Sequence, residues 1–246
     1  MSTAIVVTSG KGGTGKTSLT GGVASCLAAL GHKVLCIDMD IGLRNLDLSL
    51  GLSDRALMDF TDVICGRCTL ERAAIPHPII ENLSLLTAPL TLAPDTVPAE
   101  GMNSLLRAAR EHYDYILMDS PAGLGEGFRL AARGADRAIV VCTTDASALR
   151  DAQRTVAELS RTQRHIHLVV NRVQTKLMRR LHTTIDDAMD TAGLPLLGVV
   201  PEDPNVMLAA NNGQPLILAT SRGAAIAYLN IARRLMGQKI PLMKIR

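Results

Sequence analysis

The chain has no tryptophan, and aromatic residues make up only 2% of its 246 residues. Its core must therefore be built from aliphatic side chains, alanine and ten methionines. Such a core suits a parallel sheet covered by helices. No uninterrupted apolar stretch approaches the roughly 20 residues that cross a bilayer, so any membrane contact is peripheral. A strand-like run, Ala4 to Thr8, opens the chain with no basic n-region or apolar h-region before it, which reads as a cytoplasmic protein. Five cysteines, an odd number, read as reduced thiols rather than as a disulfide framework. Cys65 and Cys68 form a CxxC, but zinc needs about two further ligands and no second Cys or His pair follows at finger spacing. They read as ordinary thiols, and Cys26 and Cys36 as core. There is no internal repeat, low-complexity segment or linker, so residues 1–237 read as one domain, followed by a short tail, 238–246.

Acidic residues are also missing from one end. The formal net charge is only +3, too small to indicate nucleic acid or an acidic substrate. After Asp203, however, there is no Asp or Glu, while Arg222, Arg233, Arg234, Lys239, Lys244 and Arg246 carry six positive charges. The C-terminal end is thus electrostatically distinct.

Short β-branched or aliphatic runs recur at 4–8, 33–38, 83–87, 115–119, 138–143, 167–171 and 196–200. Helical spacing lies between them, at 17–30, 101–111, 147–161, 177–192 and 222–236, with Gly31, Gly193 and Gly237 as stops. The stretch from Pro89 to Pro98 reads as a surface loop leading into a helix. Strand and helix in alternation predict an α/β fold, a doubly wound and mainly parallel sheet, with ligands at the carboxyl ends of the strands.

Gly10-Lys-Gly-Gly-Thr-Gly-Lys16-Thr17 fits G-x-x-x-x-G-K-[ST] and stands where the mechanism needs it, after the first strand and before the first helix. Glycines at this place, Gly10, Gly12, Gly13 and Gly15, let backbone N–H groups turn inward around phosphate oxygens, and the helix adds its positive end. Thr14 and Ser18 complete the loop. Lys16 is expected on the β and γ phosphates and the Thr17 hydroxyl on Mg²⁺.

Two strand ends supply carboxylates. Asp38 and Asp40, two residues apart, lie on the same side of an extended chain, so that one can orient a water on Mg²⁺ and the other the attacking water. Tyr115 to Asp119 is a hydrophobic strand ending in Asp, the Walker B form, with Asp119 expected to hold Mg²⁺ through water. An isolated strand-end Asp is more often a turn or cap residue; three such features meeting at one sheet edge point to a site.

The additional lysine, Lys11, makes the loop resemble the deviant Walker A form of the MinD and ParA ATPase family. The resemblance runs from about residue 3 to about 237 and is weakest over 51–111. Asp40-Ile-Gly-Leu-Arg-Asn-Leu-Asp47, Asp119-Ser-Pro-Ala-Gly123 and Gly198-Val-Val-Pro-Glu-Asp203 resemble its MinD branch in particular. What the resemblance implies is a P-loop ATPase binding ATP and Mg²⁺, forming a homodimer when ATP is bound. Lys11 would cross that interface to the partner's phosphates. Arg44, Asn45 and Asp47, with Ser120, Pro121 and Gly123, would belong to two switch segments. Asn171 and Arg172 would lie at the adenine, and Pro201, Glu202 and Asp203 in the loop closing over it. An amide suits an adenine edge, whereas a GTPase would show Asn-Lys-x-Asp where this chain has Asn171-Arg-Val-Gln174.

The same resemblance implies slow ATP hydrolysis stimulated by a protein activator, recruitment of a division inhibitor, and reversible contact with an anionic membrane surface through the extreme C-terminus. Here the tail departs from the pattern. Nine residues broken by Pro241 are short for an interfacial helix, although their Lys, Arg, Ile, Leu and Met are the right chemistry, and a tail packed on the domain is the alternative. Flagellar-number and ParA-like partitioning ATPases share the fold. DNA is not expected as a partner, because the arginines of 150–164 and 172–180 read as solvated helix faces and loops. A biosynthetic enzyme would need a substrate pocket beside the γ phosphate that no spare segment supplies. The iron–sulfur variant would need cysteines at switch-linked positions.

Overall fold

The computed structural model describes residues 2–53, 55–91 and 97–243. The first part of the chain forms β1 (Thr3–Thr8), α1 (Lys16–Ala29), β2 (Val34–Asp38), α2 (Leu46–Leu50), α3 (Phe60–Ile64) and α4 (Leu70–Ala73). Next come β3 (Ile75–Pro76), β4 (Leu83–Leu86), α5 (Ala99–His112), β5 (Tyr115–Asp119), α6 (Glu126–Arg133) and β6 (Arg137–Cys142). The remainder is α7 (Ala146–Leu159), β7 (Ile166–Val173), α8 (Thr175–Leu181), α9 (Ile185–Ala192), β8 (Leu196–Pro201), α10 (Pro204–Asn211), α11 (Leu216–Ala219) and α12 (Ala224–Leu235).

The eight strands form one sheet in the order β3-β4-β2-β5-β1-β6-β7-β8. Every pairing is parallel except the short edge pair β3 and β4. The period-two alternation of each strand sorts its side chains between two cores. Ala4, Val6, Leu35, Ile37, Ile116 and Met118 face one side, where Phe60, Leu105, Phe128 and Leu159 cover them. Ile5, Val7, Val34, Cys36 and Leu117 face the other, under Leu19, Val23 and Leu27 of α1 and Tyr228 and Ile231 of α12. Both faces are covered, so the strands read as continuous apolar runs. β1 lies between β5 and β6, and crossovers run to both sides of it, leaving a crevice at its carboxyl end.

All seven expected strands are present within one or two residues of the expected bounds. One expected helix is not. Residues 177–192 divide into α8 and α9, because His182 takes a left-handed conformation (φ 51°) and Thr184 begins a new helix in a capping box with Asp187. Cys26, Cys36 and Cys142 are buried, while Cys65 is exposed on the turn after α3. Most of the expected loop between Pro89 and Pro98, residues 92–96, lies outside the described residues, as do residues 244–246 of the tail.

Candidate nucleotide site

The loop between β1 and α1 is shaped by its glycines. Gly15 has φ 84°, and a Cβ there would meet the Asn171 amide nitrogen at 2.4 Å, so the position excludes side chains twice over. Asn171 donates that amide to the Thr14 carbonyl at 2.8 Å. Gly15 also precedes α1 without any side chain to cap it, which leaves first-turn N–H groups for an anion. Gly10 lies so close to α7 that a Cβ would sit 2.3 Å from the Asp151 carbonyl oxygen. The loop is therefore clamped from β7 on one side and α7 on the other.

Lys16 is buried, as is Thr14, whose hydroxyl has no hydrogen-bond partner among the described residues. The Thr17 hydroxyl donates to Asp119 Oδ2 at 2.6 Å, and Thr20 to Asp119 Oδ1 at 3.1 Å. The register of β2 and β5 places Asp38 directly beside Asp119. Burial, offset in part by the Thr17 hydrogen bond and reinforced by the charge of Asp38, raises the Asp119 pKa to about 7. Burial likewise raises Asp38 to about 6. Hard oxygens from Thr17, Asp38 and Asp119 converging beside a buried lysine and a glycine cradle fit a Mg²⁺-bound phosphate.

Asp38 is also the hinge of the following segment. Its Oδ1 accepts the Asp40 N–H at 2.9 Å and its Oδ2 accepts the Leu46 N–H at 3.0 Å, so one carboxylate spans both ends of 40–46. β2 ends at Asp38, the Met39 N–H still donates to the Asp119 carbonyl at 2.9 Å with its side chain in the core of Leu35 and Ile37, and the chain turns after Asp40. A desolvated carboxylate takes the nearest N–H donors and forms an Asx-type turn. Burial raises the Asp40 pKa and the charge of Lys16 opposes the rise. Arg44 takes φ 44° and lies 3.3 Å from Asp47, while Asn45 precedes α2. In the 119–123 stretch, Ser120 N–H donates to the Val7 carbonyl, Pro121 packs beside Gly127, and Gly123 N–H donates to the Ser9 carbonyl.

Lys11 points elsewhere. Its Nζ donates to Ser147 Oγ at 2.8 Å and lies 3.6 Å from Asp145, at the start of α7. Burial works against the Asp145 carboxylate, but hydrogen bonds from Ser147, Thr143 and the Ala148 N–H, with the charge of Lys11, hold its pKa well below the usual range. A cleft of about 300 Å³ opens here, lined by Lys11, Asp145, Arg172, Gln174, Leu177 and Glu202 among others. Arg172, left-handed at φ 54°, binds the Gly13 carbonyl through Nη1 at 3.1 Å and Glu202 through Nε at 2.8 Å. Glu202 follows Pro201, the last residue of β8. The Asp203 carboxylate caps α10 through Asn205 N–H and α12 through Ala224 N–H. Sequence reasoning missed Thr20, Asp145 and Ser147. Thr20 stands one turn from Lys16, and Asp145-Ala-Ser147 had a cap signal, but its link to Lys11 spans 136 residues.

The family model described as the CobQ/CobB/MinD/ParA nucleotide binding domain matches residues 5–216. This chain belongs to that family. The septum site-determining protein MinD of Synechocystis sp. is 41% identical over 99% of this chain and 92% of its own length. The MinD chain of the MinC:MinD cell division protein complex of Aquifex aeolicus superposes with a TM-score of 0.92 at 39% identity, over 99% of both chains. The septum site-determining protein MinD complexed with Mg-ADP from Pyrococcus horikoshii gives 0.84 at 29% identity, over 96% of both. Within the family the chain falls in the MinD branch and is an ATPase that uses ATP and Mg²⁺. Among the described residues, no helix is long and apolar enough to cross a membrane.

Proposed function

We propose that this chain is a MinD-like dimerisation switch in the positioning of the cell-division site, recruiting a division inhibitor when ATP is bound. The observation that carries the reading is Lys11. It stands outside the phosphate cradle, half exposed, on the rim formed with Ser147 and Asp145. Lys16 occupies the buried place beside the phosphate site, so Lys11 is available to a second copy, where it would neutralise phosphate charge in trans. Asp40 would position the attacking water, and Asp38 would pass occupancy of the site to residues 40–46. Asn171, Arg172 and Glu202 would border the base. The relation to the MinC:MinD complex of Aquifex aeolicus supports a division inhibitor as partner. The basic-apolar tail supports reversible contact with an anionic membrane.

Light scattering with ATP and Mg²⁺ tests the switch: the wild type forms dimers, and Lys11→Ala stays monomeric with nucleotide affinity largely kept. Normal dimers from Lys11→Ala reject the trans role. Asp40→Ala keeps ATP binding and accumulates the dimer; surviving turnover in that variant removes Asp40 as the water-positioning group.

A further inference from the structure

α8 lies beside the nucleotide cleft, with Met178 its single buried residue. It contains no acidic residue, and Lys176, Arg179 and Arg180 are all exposed. None of the three makes an ion pair among the described residues, whereas Arg154 and Arg161 on α7 pair with Asp151 and Glu158. The basic stretch 172–180 is thus of two kinds: Arg172 is committed to Gly13 and Glu202, and the three cations of α8 are uncommitted.

At 3.6 residues per turn the three cations share the outward side of α8, and Leu177 and Leu181 form one flank of that ridge. Both leucines are exposed, at 42% and 53%. On the other flank, Thr175, Met178 and Arg179 border a groove of about 360 Å³ whose far wall carries Leu242 and Met243. The tail is held there by Arg234. That guanidinium donates to the Ile240 carbonyl (2.9 and 3.0 Å), the Pro241 carbonyl (2.8 Å) and the Leu197 carbonyl of β8 (2.7 Å). Residues 238–243 are not helical, yet the fold presents Leu242, 49% exposed, along α8. Asp186 of α9 also lines the groove, and on the Leu177 side Glu202, paired with Arg172, lines the nucleotide cleft.

We propose that α8 and the Arg234-pinned residues Leu242 and Met243 form a single surface that seats on an anionic lipid bilayer. The inference rests on the membrane reading given above and adds a folded helix to the tail as the contacting element. Cations flanked on both sides by exposed aliphatic residues match a lipid surface, where lysine and arginine meet head groups and leucine enters the acyl boundary. A phosphate backbone would use the cations and leave the leucines exposed, and α8 offers no aromatic ring for base stacking.

The test is co-sedimentation of the full chain, with ATP and Mg²⁺, on vesicles of phosphatidylcholine with and without phosphatidylglycerol. The wild type binds the mixed vesicles and not pure phosphatidylcholine. Arg179→Gln/Arg180→Gln weakens that binding by about tenfold or more, from roughly 1 kcal/mol per basic residue at an anionic surface. Leu181→Ser weakens it several-fold, which a purely ionic contact would not show. Circular dichroism and vesicle-free ATP turnover stay as in the wild type for both variants. If both variants bind as tightly as the wild type while Leu242→Ser does not, α8 is no part of the surface and the inference falls with the membrane reading intact. If the wild type binds no vesicles, both fall. Tighter binding to duplex DNA than to vesicles, lost in the arginine variant, overturns the lipid assignment.

Discussion

The carboxyl ends of β1, β2 and β5 and the α8 edge of the sheet carry comparable numbers of charged groups but treat them in opposite ways. At the strand ends Lys16, Asp38 and Asp119 are buried, the two carboxylates accept hydrogen bonds from their neighbours, and the pKa values of both carboxylates are raised by that burial. Along α8 the charges are exposed and bound by nothing described. Chemistry on a phosphate needs groups fixed before the ligand arrives, and that order costs stability in the free protein. Association with a second body needs groups that remain accessible, and exposed charges cost the fold little.

The sharpest way to break this comparison is to remove one lysine from each region. Lys16→Ala lowers ATP turnover by about 10²–10³-fold or more, since a preorganised charge at the phosphate is lost. Lys176→Ala leaves vesicle-free turnover within about twofold, because an exposed cation with no ion pair among the described residues is screened by water and salt. Steady-state phosphate release measures both. Equal losses would mean that α8 is part of the catalytic machinery.

A second, smaller effect concerns the cost of the buried carboxylates. Asp38 and Asp119 are raised above the unfolded value of 3.8, to about 6 and about 7. Their protonation therefore favours the folded state. That contribution is full below the unfolded pKa and is lost as pH rises through 6 and 7. The nucleotide-free protein is then more stable toward these groups at pH 5 than at pH 8. Asp119→Asn abolishes turnover yet raises stability at pH 8 by on the order of a few kcal/mol and flattens the pH dependence. Urea melts at the two pH values check it; an unchanged slope would show that Asp119 is already accommodated as a carboxylate.

Much of the first region was legible in the sequence because its signals are local. A glycine loop between a strand and a helix, and Asp at the ends of apolar strands, name their own positions. What was not legible depends on distant contacts: Asn171 against Gly15, Asp151 against Gly10, and Lys11 on Ser147. The turn that Asp38 makes with the Asp40 and Leu46 N–H groups was not legible either, because it depends on which donors the fold brings within reach of a desolvated carboxylate. The split of α8 from α9 had a visible signal in Thr184-Ile-Asp-Asp187, a capping box within an apolar period that otherwise continues. Apolar spacing alone does not register a cap of that kind. The groove beneath Leu242 had none, since the Arg234 bonds that form it go to backbone carbonyls.

The smallest expected effect lies at the end of α8 itself. His182 holds φ 51° and ψ 37°, a conformation that costs a side-chain-bearing residue roughly 1–2 kcal/mol. The turn is closed by Thr183 N–H on the Met178 carbonyl at 3.1 Å, the long hydrogen bond of a glycine-type helix stop. His182→Gly relieves the strain but gains freedom in the unfolded chain, so the net gain is about 0.5–1 kcal/mol, a Tm rise of roughly 2 °C. Calorimetry reads the shift. A fall in Tm would mean that the imidazole itself holds α8 in place, and the helix would then be part of the fixed framework rather than an edge anchored by Met178.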